Sequence, residues 1–279
     1  MTPAGEPLLI INPRGRGALL PWRDLLEYRD LLSIMAQRDI KLRYRQTAVG
    51  VAWVLLQPLI GAGLFTFVCG VIAKLPTGDE RVPYFVFGYA GLLIWNVFLQ
   101  VFTKTNDSIV SNAGMISKIY FPRIVLPLST VHGVMLDFAV GAVVMVALMF
   151  IYGIAPGVGL LFLPVVLLMA VLLALGMGLW AAALNVSYRD VRYLVPVFTQ
   201  FLLWGSPVAY AASSIPQSVQ TLVALNPLVG ILDSFRWAVL GTPVTSWAAV
   251  AWSGVASVLM FIIGLAIFRG QERRFADVV

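Results

Sequence analysis

The sequence predicts an all-α, polytopic membrane protein with six membrane-spanning helices. Three observations predict it. Hydrophobic residues make up 60% of the chain and charged residues 11%, where a soluble domain carries roughly a quarter charged. Long apolar runs recur, each bounded by charge, Pro or Gly, and only helices or closed barrels satisfy the backbone in lipid. The runs are longer and more continuous than barrel strands, which are about ten residues of alternating character.

Residues 1–21 read as a flexible polar tail rich in Pro and Gly. They hold no apolar core with a cleavage site, so the first span is expected to direct insertion itself. Residues 22–46 predict a helix that lies on the membrane. Leu25, Tyr28, Leu32 and Met35 share a face, and Arg38, Asp39, Lys41, Arg43 and Arg45 crowd its end. An apolar face with a basic end suits the headgroup plane, although a soluble helix packed on a neighbour has the same pattern.

The spans are expected at about 48–73, 84–103, 124–152, 159–186, 192–211 and 247–268. The fifth is interrupted by Pro196 and Pro207. Residues 212–246 are too broken by Pro216, Asn226, Pro227, Asp233, Arg236 and Pro243 to cross simply. Residues 104–123 form a loop, and 271–279 a C-terminal tail.

With six spans, sixteen of the nineteen Lys and Arg fall on the side of the two termini. Lys74, Arg81 and Arg236 fall on the other. The positive-inside rule then places both termini in the cytoplasm. The same distribution explains the basic pI without nucleic acid, since the charges flank apolar runs.

Catalytic and metal signatures are missing. The sequence has no Gly-rich phosphate loop ending in Gly-Lys-Ser/Thr, no nucleophile elbow and no paired-Cys or His-Glu-x-x-His spacing. His132 is the one histidine and Cys69 the one cysteine, and Cys69 reads as a packing residue. Asp137 and His132 are the clear ionisable residues within a span. Each is either a pore or ion site or a hydrogen-bonded packing group. Gly133 and Gly141 on the face of Asp137 favour close helix contact. The chain thus reads as a pathway whose driving force acts from another subunit. The loop residues Met115, Ile116, Ile119, Tyr120 and Phe121, beside Lys118 and Arg123, suit insertion into a partner's groove; a membrane-lying connector is the alternative.

Several stretches carry a resemblance. Arg38-Asp39-Ile40-Lys41-Leu42-Arg43-Tyr44-Arg45-Gln46-Thr47, then Gly50-Val51-Ala52-Trp53 and Gln57-Pro58, resembles the start of bacterial type-2 ABC exporter permeases. The nearest group is the polysaccharide and polyol-phosphate exporters of O-antigen, capsule or teichoic acid. Met115-Ile116-Ser117-Lys118-Ile119-Tyr120-Phe121-Pro122-Arg123 with Leu126-Pro127 looks like the coupling loop of that family. Asn185-Val186-Ser187-Tyr188-Arg189-Asp190-Val191-Arg192 looks like its fourth-to-fifth turn. Ser206-Pro207-Val208 and Leu225-Asn226-Pro227-Leu228 look like its fifth span and external gate. The matches are colinear over roughly 22–270.

The resemblance implies a homodimer of this chain with two copies of a cognate ATPase that binds ATP and Mg, and no cofactor in this chain. It implies an undecaprenyl-linked polysaccharide substrate and a bacterial inner-membrane location. Arg38, Asp39 and Arg43 and the 111–123 loop would dock on the ATPase. Residues 212–246 would be re-entrant helices on the periplasmic side, with Pro216, Asn226 and Pro227 at the gate. Phe65, Phe67, Tyr84, Phe85, Phe87, Tyr89, Trp204 and Tyr210 could offer flat faces to sugar rings, or could form an interfacial aromatic belt facing lipid. An exporter of teichoic acid, drugs or lipids, and an integral-membrane enzyme of envelope synthesis using Asp137, Arg189 and Asp190, are the competing readings.

Overall fold

The computed structural model describes residues 27–45, 50–116, 118, 121–188 and 190–272, with the backbone alone at 39, 40, 42–45, 50–52 and 54. The expected tail 1–21, most of the expected tail 271–279, and the start of the first helix at 22–26 lie outside the described residues.

Helix α1 is Arg29–Arg45 and α2 is Gly50–Phe65, which continues as wider π turns over Thr66–Ile72. Helix α3 is Tyr84–Ser111 and is followed by a single turn, Ala113–Ile116. Helix α4 is Val125–Ile151. A 3-10 turn, Val158–Phe162, leads into α5, Leu163–Ser187. Helices α6 (Val191–Trp204), α7 (Gln217–Ala224), α8 (Pro227–Leu240) and α9 (Trp247–Gln271) follow. Among the described residues there is no strand.

Local chemistry sets the ends. Pro83 lacks an N–H and precedes α3, and its carbonyl accepts from Val86 and Phe87. Asn226 caps α8 by accepting the Leu228 N–H at 3.0 Å, with Pro227 in the first turn. Gly241, at φ +71°, ends the same helix in the left-handed conformation that only glycine adopts without strain. Ser246 caps α9 through the Ala249 N–H.

Among the described residues five segments are long and apolar enough to cross a membrane: Leu55–Ile72, α3, α4, Val158–Ser187 and α9. A sixth candidate is the α7–α8 pair, bent by 97° at Leu225–Pro227. Helix α3 extends eight residues past its expected end at 103. The larger correction concerns the fifth span. It was expected over 192–211, but its helix stops at Trp204, and fourteen residues reach only about 21 Å. The remaining seven, through Ala211, are not α-helical. Pro207 provides the reason, because its ring disfavours helix at Ser206 and it donates no hydrogen bond. Pro196 interrupts nothing: it sits within α6.

Helix α3 is the central post. Of its best apolar window 78% is buried, against 17% for the segment Leu55–Ile72. Helices α5, α4, α2 and α8 pack on α3, and α9 packs along α5. The α5–α9 approach is a backbone contact. A Cβ on Gly176 would meet the backbone of Met260 and Phe261 at 2.5 Å, and one on Gly264 would strike the Gly176 carbonyl. Between membrane helices, small residues allow such approach. Large apolar side chains stay uncovered on the outside, among them Val143, Val146 and Phe150 of α4 and Val255, Val258 and Leu259 of α9. That surface suits hydrocarbon and not water.

Candidate functional site

Helix α1 and the loop after α3 share one end of the bundle. A buried cluster there joins Met35 of α1, Ile109 of α3, Phe121 and Ile124 of the loop, Val125 and Leu126 of α4, Leu179 of α5, and Leu265 and Phe268 of α9. Tyr28, Leu31, Leu32, Met115 and Ile116 pack against it. The apolar face expected on α1 therefore exists, and it is turned onto this end of the protein. Helix α1 makes most of its contacts with α4.

Polar contacts tie the same parts together. Arg38 donates from Nη2 to Asn112 Oδ1 at 2.8 Å. The Arg123 backbone N–H donates to Glu272 Oε1 at 3.3 Å, and its guanidinium donates to the Glu272 carbonyl. Asn112 also donates to the Ser108 carbonyl at 2.8 Å, which caps the end of α3. The result is a collar: α1, the 112–123 loop and the end of α9 are fastened to one another. Basic residues recur on the collar's own elements: Arg38 and Lys41 on α1, Lys118 and Arg123 in the loop, and Arg269 in the last turn of α9.

The coupling candidates separate by burial. Phe121 is 6% exposed and faces inward. Met115, Ile116, Pro122 and Arg123 are half-buried, and Lys118 is exposed. Ile119 and Tyr120 lie outside the described residues, as do the side chains of Asp39 and Arg43.

The opposite end is organised around Arg236 on α8. Its side chain is 1% exposed. Nη1 donates to the Pro207 carbonyl at 2.7 Å and to the Tyr210 carbonyl at 3.4 Å. Nη2 donates to the Val208 carbonyl at 2.6 Å. The guanidinium stacks over the Phe87 ring at 3.8 Å. A helix that ends at Trp204 leaves the following carbonyls without helical partners, and Arg236 supplies donors to three of them. Gly91 of α3 makes room, since a Cβ there would strike Arg236 Nη2. Asn226 ties the α7–α8 corner to the same stretch, donating to the Gly205 carbonyl at 3.2 Å and to Ser206 Oγ at 2.9 Å. Pro216 precedes α7. In the α2–α3 connection the Arg81 guanidinium, bonded to Asp79 at 2.6 Å, holds that carboxyl below the usual carboxylate range.

The aromatic candidates fall into two groups. Phe87 and Tyr89 are buried, and Tyr89 donates to the Gly141 carbonyl at 2.9 Å. Tyr84 donates to the Ala209 carbonyl at 2.5 Å, and Phe65 and Phe85 are half-buried against the core. Tyr210 donates to the Trp204 carbonyl at 3.3 Å. Only Phe67 and Trp204 present broad faces outward, at 58% and 61% exposure.

Asp137 is buried where α4 packs and His132 is exposed, so the two do not meet in one site. Among the described residues no group of three or more His, Cys, Asp or Glu could hold a metal. Sequence reasoning took Arg236 as an outside charge. Its signal was a lone cation three residues after Asp233 in an otherwise apolar helix, which calls for buried partners. Glu272 and Asn112 carried no signal before the fold brought them to Arg123 and Arg38.

Comparison with known proteins fits this architecture. The model of the ABC-2 type transporter family matches residues 30–240. The O-antigen export system permease protein RfbA of Klebsiella pneumoniae is 28% identical over 252 residues, covering 90% of this chain and 95% of that protein. RfbA of Myxococcus xanthus is 28% identical over 264 residues, covering 91% and 97%. The polysialic acid transport protein KpsM of Escherichia coli is 24% identical over 240 residues, covering 84% and 91%. The family match includes α1, the collar loop, the shortened α6 and the bent α7–α8 pair, and the chain belongs to the ABC-2 type transporter family.

Proposed function

We propose that this chain is the pore-forming permease subunit of an ATP-driven exporter that moves lipid-linked polysaccharide across the bacterial cytoplasmic membrane. The observation that carries the reading is the end-to-end similarity to permeases named for O-antigen and polysialic acid export, joined to a fold whose basic collar suits a cytoplasmic partner.

The collar and the rest of the bundle divide the work. Two ATPase subunits, holding ATP and Mg, press on the exposed parts of the collar around Lys118. Because the loop is fastened to α1 and to the end of α9, a push there moves helix ends and not a slack connector. Arg38 and Arg123 act inside the collar as ties. Both termini are placed in the cytoplasm in this reading, which the excess of Lys and Arg on their side supports.

A homodimer supplies the pathway. One cavity of a single copy among the described residues, about 240 Å³ between α4 and α8, has almost wholly apolar walls such as Leu93, Met145 and Phe235, which suits neither water nor sugar. Helix α6 leaves Tyr193, Leu194, Val197, Phe201 and Trp204 uncovered, and α2 with its π turns leaves Trp53, Leu56, Ile60, Leu64 and Phe67 uncovered. These faces suit a second copy, with the α7–α8 corner closing the periplasmic mouth around Pro216, Asn226 and Pro227. A sugar chain needs such a passage because each unpaired polar group costs several kcal/mol in hydrocarbon.

Deleting the gene and supplying the chain in trans tests the reading. The expected result is loss of surface polysaccharide, with lipid-linked glycan accumulating inside, and restoration by this chain only when the cognate ATPase is active. Normal surface polysaccharide in the deletion strain would overturn it.

A further inference from the structure

One face of α3 does not match the bilayer. From Asn96 to its end, half of this helix is buried, and the uncovered residues recur at spacings of three and four, which places them on one side. At 100° per residue they fill a sector of about 140°. Apart from Leu99 and Val110, they are Asn96, Gln100, Thr103, Lys104, Asp107 and Ser111. The uncovered faces of α4 and α9 are apolar instead, apart from His132 on α4 and Arg269 and Gln271 in the last turn of α9. Lys104, Asp107 and Ser111 fall in the turns past the expected end of the span at 103, beside the collar. At Asn96, Gln100 and Thr103, within the span, polar groups left against lipid are costly, and polar residues at membrane depth face a protein interior or a water-filled cavity.

We infer that this face of α3 is a wetted wall of the export path, and that Asn96, Gln100, Thr103 and Asp107 contact the hydroxyl groups of the moving glycan. The inference rests on the proposed export function and assigns the contact residues within it. Adjacent members of the four stand about 4.5–6 Å apart along the helix, and the series covers about 16 Å. Arg192, at the start of α6, lies within electrostatic range of Asp107 at its lower end. Phe198 of α6 meets Phe102 of α3 edge-on at 6.2 Å, which sets α6 alongside. Asp107 accepts from Asn106 at 2.9 Å and keeps lone pairs for further donors. The Thr103 hydroxyl donates to the Leu99 carbonyl at 2.8 Å, which leaves its oxygen able to accept. Side-chain amides both donate and accept, so a sugar hydroxyl finds a partner in either orientation. Several weak, equivalent contacts in series let a polymer advance by exchanging one for the next. The outer half of α3 does not continue the wall, since Phe87 and Tyr89 are buried there.

The test places single cysteines at 96, 100, 103 and 107, and at Val143 and Val146 as lipid-facing controls, in a Cys69→Ser parent assembled with its ATPase. A charged, membrane-impermeant thiol reagent is applied with and without lipid-linked polysaccharide. The expected result is labelling at the four α3 positions, absent at the two controls, that slows about tenfold when polysaccharide is loaded. Labelling no faster than at Val143 means protein or lipid covers the face, and that overturns the inference. Labelling that polysaccharide leaves unchanged overturns it as well. Export by the Cys69→Ser parent is measured in parallel. If the parent exports and the cysteines are not protected, this inference alone fails; if the parent does not export in an ATP-dependent way, the proposed function fails and the inference falls with it.

Discussion

The guanidinium of Arg236 lies 3.8 Å from the centre of the Phe87 ring while its NH groups hold the carbonyls of Pro207, Val208 and Tyr210. A buried cation is tolerated only when donors and charge are both compensated. Three carbonyl oxygens take its terminal NH groups and an aromatic face meets part of the charge, while Nε has no hydrogen-bond partner among the described residues. The contact fastens α8 to α3 and fixes the non-helical stretch after α6. Replacing Arg236 with Met removes every donor and is expected to cost about 2–4 kcal/mol, since hydrogen bonds to charged groups contribute about 1.5–3 kcal/mol each. Replacing it with Lys keeps the charge but not the planar fork, and restores only part of the loss. Thermal unfolding of the detergent-solubilised protein reads both; an unchanged midpoint for Arg236→Met would contradict the assignment.

The α5–α9 contact depends on having no side chain at Gly264. Gly264→Val is expected to force the helices apart and lower the melting temperature by several degrees, in line with the 1–3 kcal/mol typical of overpacking. Gly270 has nothing within 4 Å of its Cβ direction. Gly270→Ala is therefore expected to leave the midpoint within a degree or so of the parent.

Two loop residues should separate stability from coupling. Phe121 is buried in the collar, so Phe121→Ala is expected to cost about 3–5 kcal/mol before any effect on a partner is seen. Lys118 is exposed, so Lys118→Glu should leave the melting temperature unchanged while weakening the assembled ATPase's response to the permease. Measured by thermal unfolding and by ATP hydrolysis in the complex, the reverse pattern would contradict the placement of these two side chains.

The Arg38–Asn112 hydrogen bond predicts an energetic link between α1 and the loop. Single replacements, Arg38→Ala and Asn112→Ala, and the double variant form a mutant cycle. A coupling of about 0.5–3 kcal/mol is expected for residues in one hydrogen-bond network. Additive losses would show that α1 is not tied to the loop through this pair.

The apolar runs made α2, α3, α4, α5 and α9 legible, because twenty or so residues without charge leave few alternatives to a spanning helix. A break near Asn226 and Pro227 was legible as well, while their roles as cap and first turn of α8 showed only in the fold. Helix α6 was not, since its length depends on Pro207 ending the helix within an apolar run that hydropathy alone reads as continuous. Aromatic content suggested Phe87 and Tyr89 as path residues, yet in the fold one supports Arg236 and the other bonds to Gly141. Which face of a membrane helix meets protein is set by its neighbours, and composition does not carry that. The collar depended on contacts between residues 74 and 149 positions apart, beyond any local pattern.

Uphill export in a defined system distinguishes a passive conduit from a self-powered carrier. The permease is reconstituted in liposomes with lipid-linked polysaccharide, either alone, with its cognate ATPase, or with an ATPase inactivated in its nucleotide site. Translocation to the far leaflet is followed by a membrane-impermeant lectin or antibody. Translocation is expected only with the active ATPase and ATP. ATP hydrolysis by the permease alone, or polysaccharide movement driven by an ion gradient without the ATPase, would contradict a pathway powered from outside this chain.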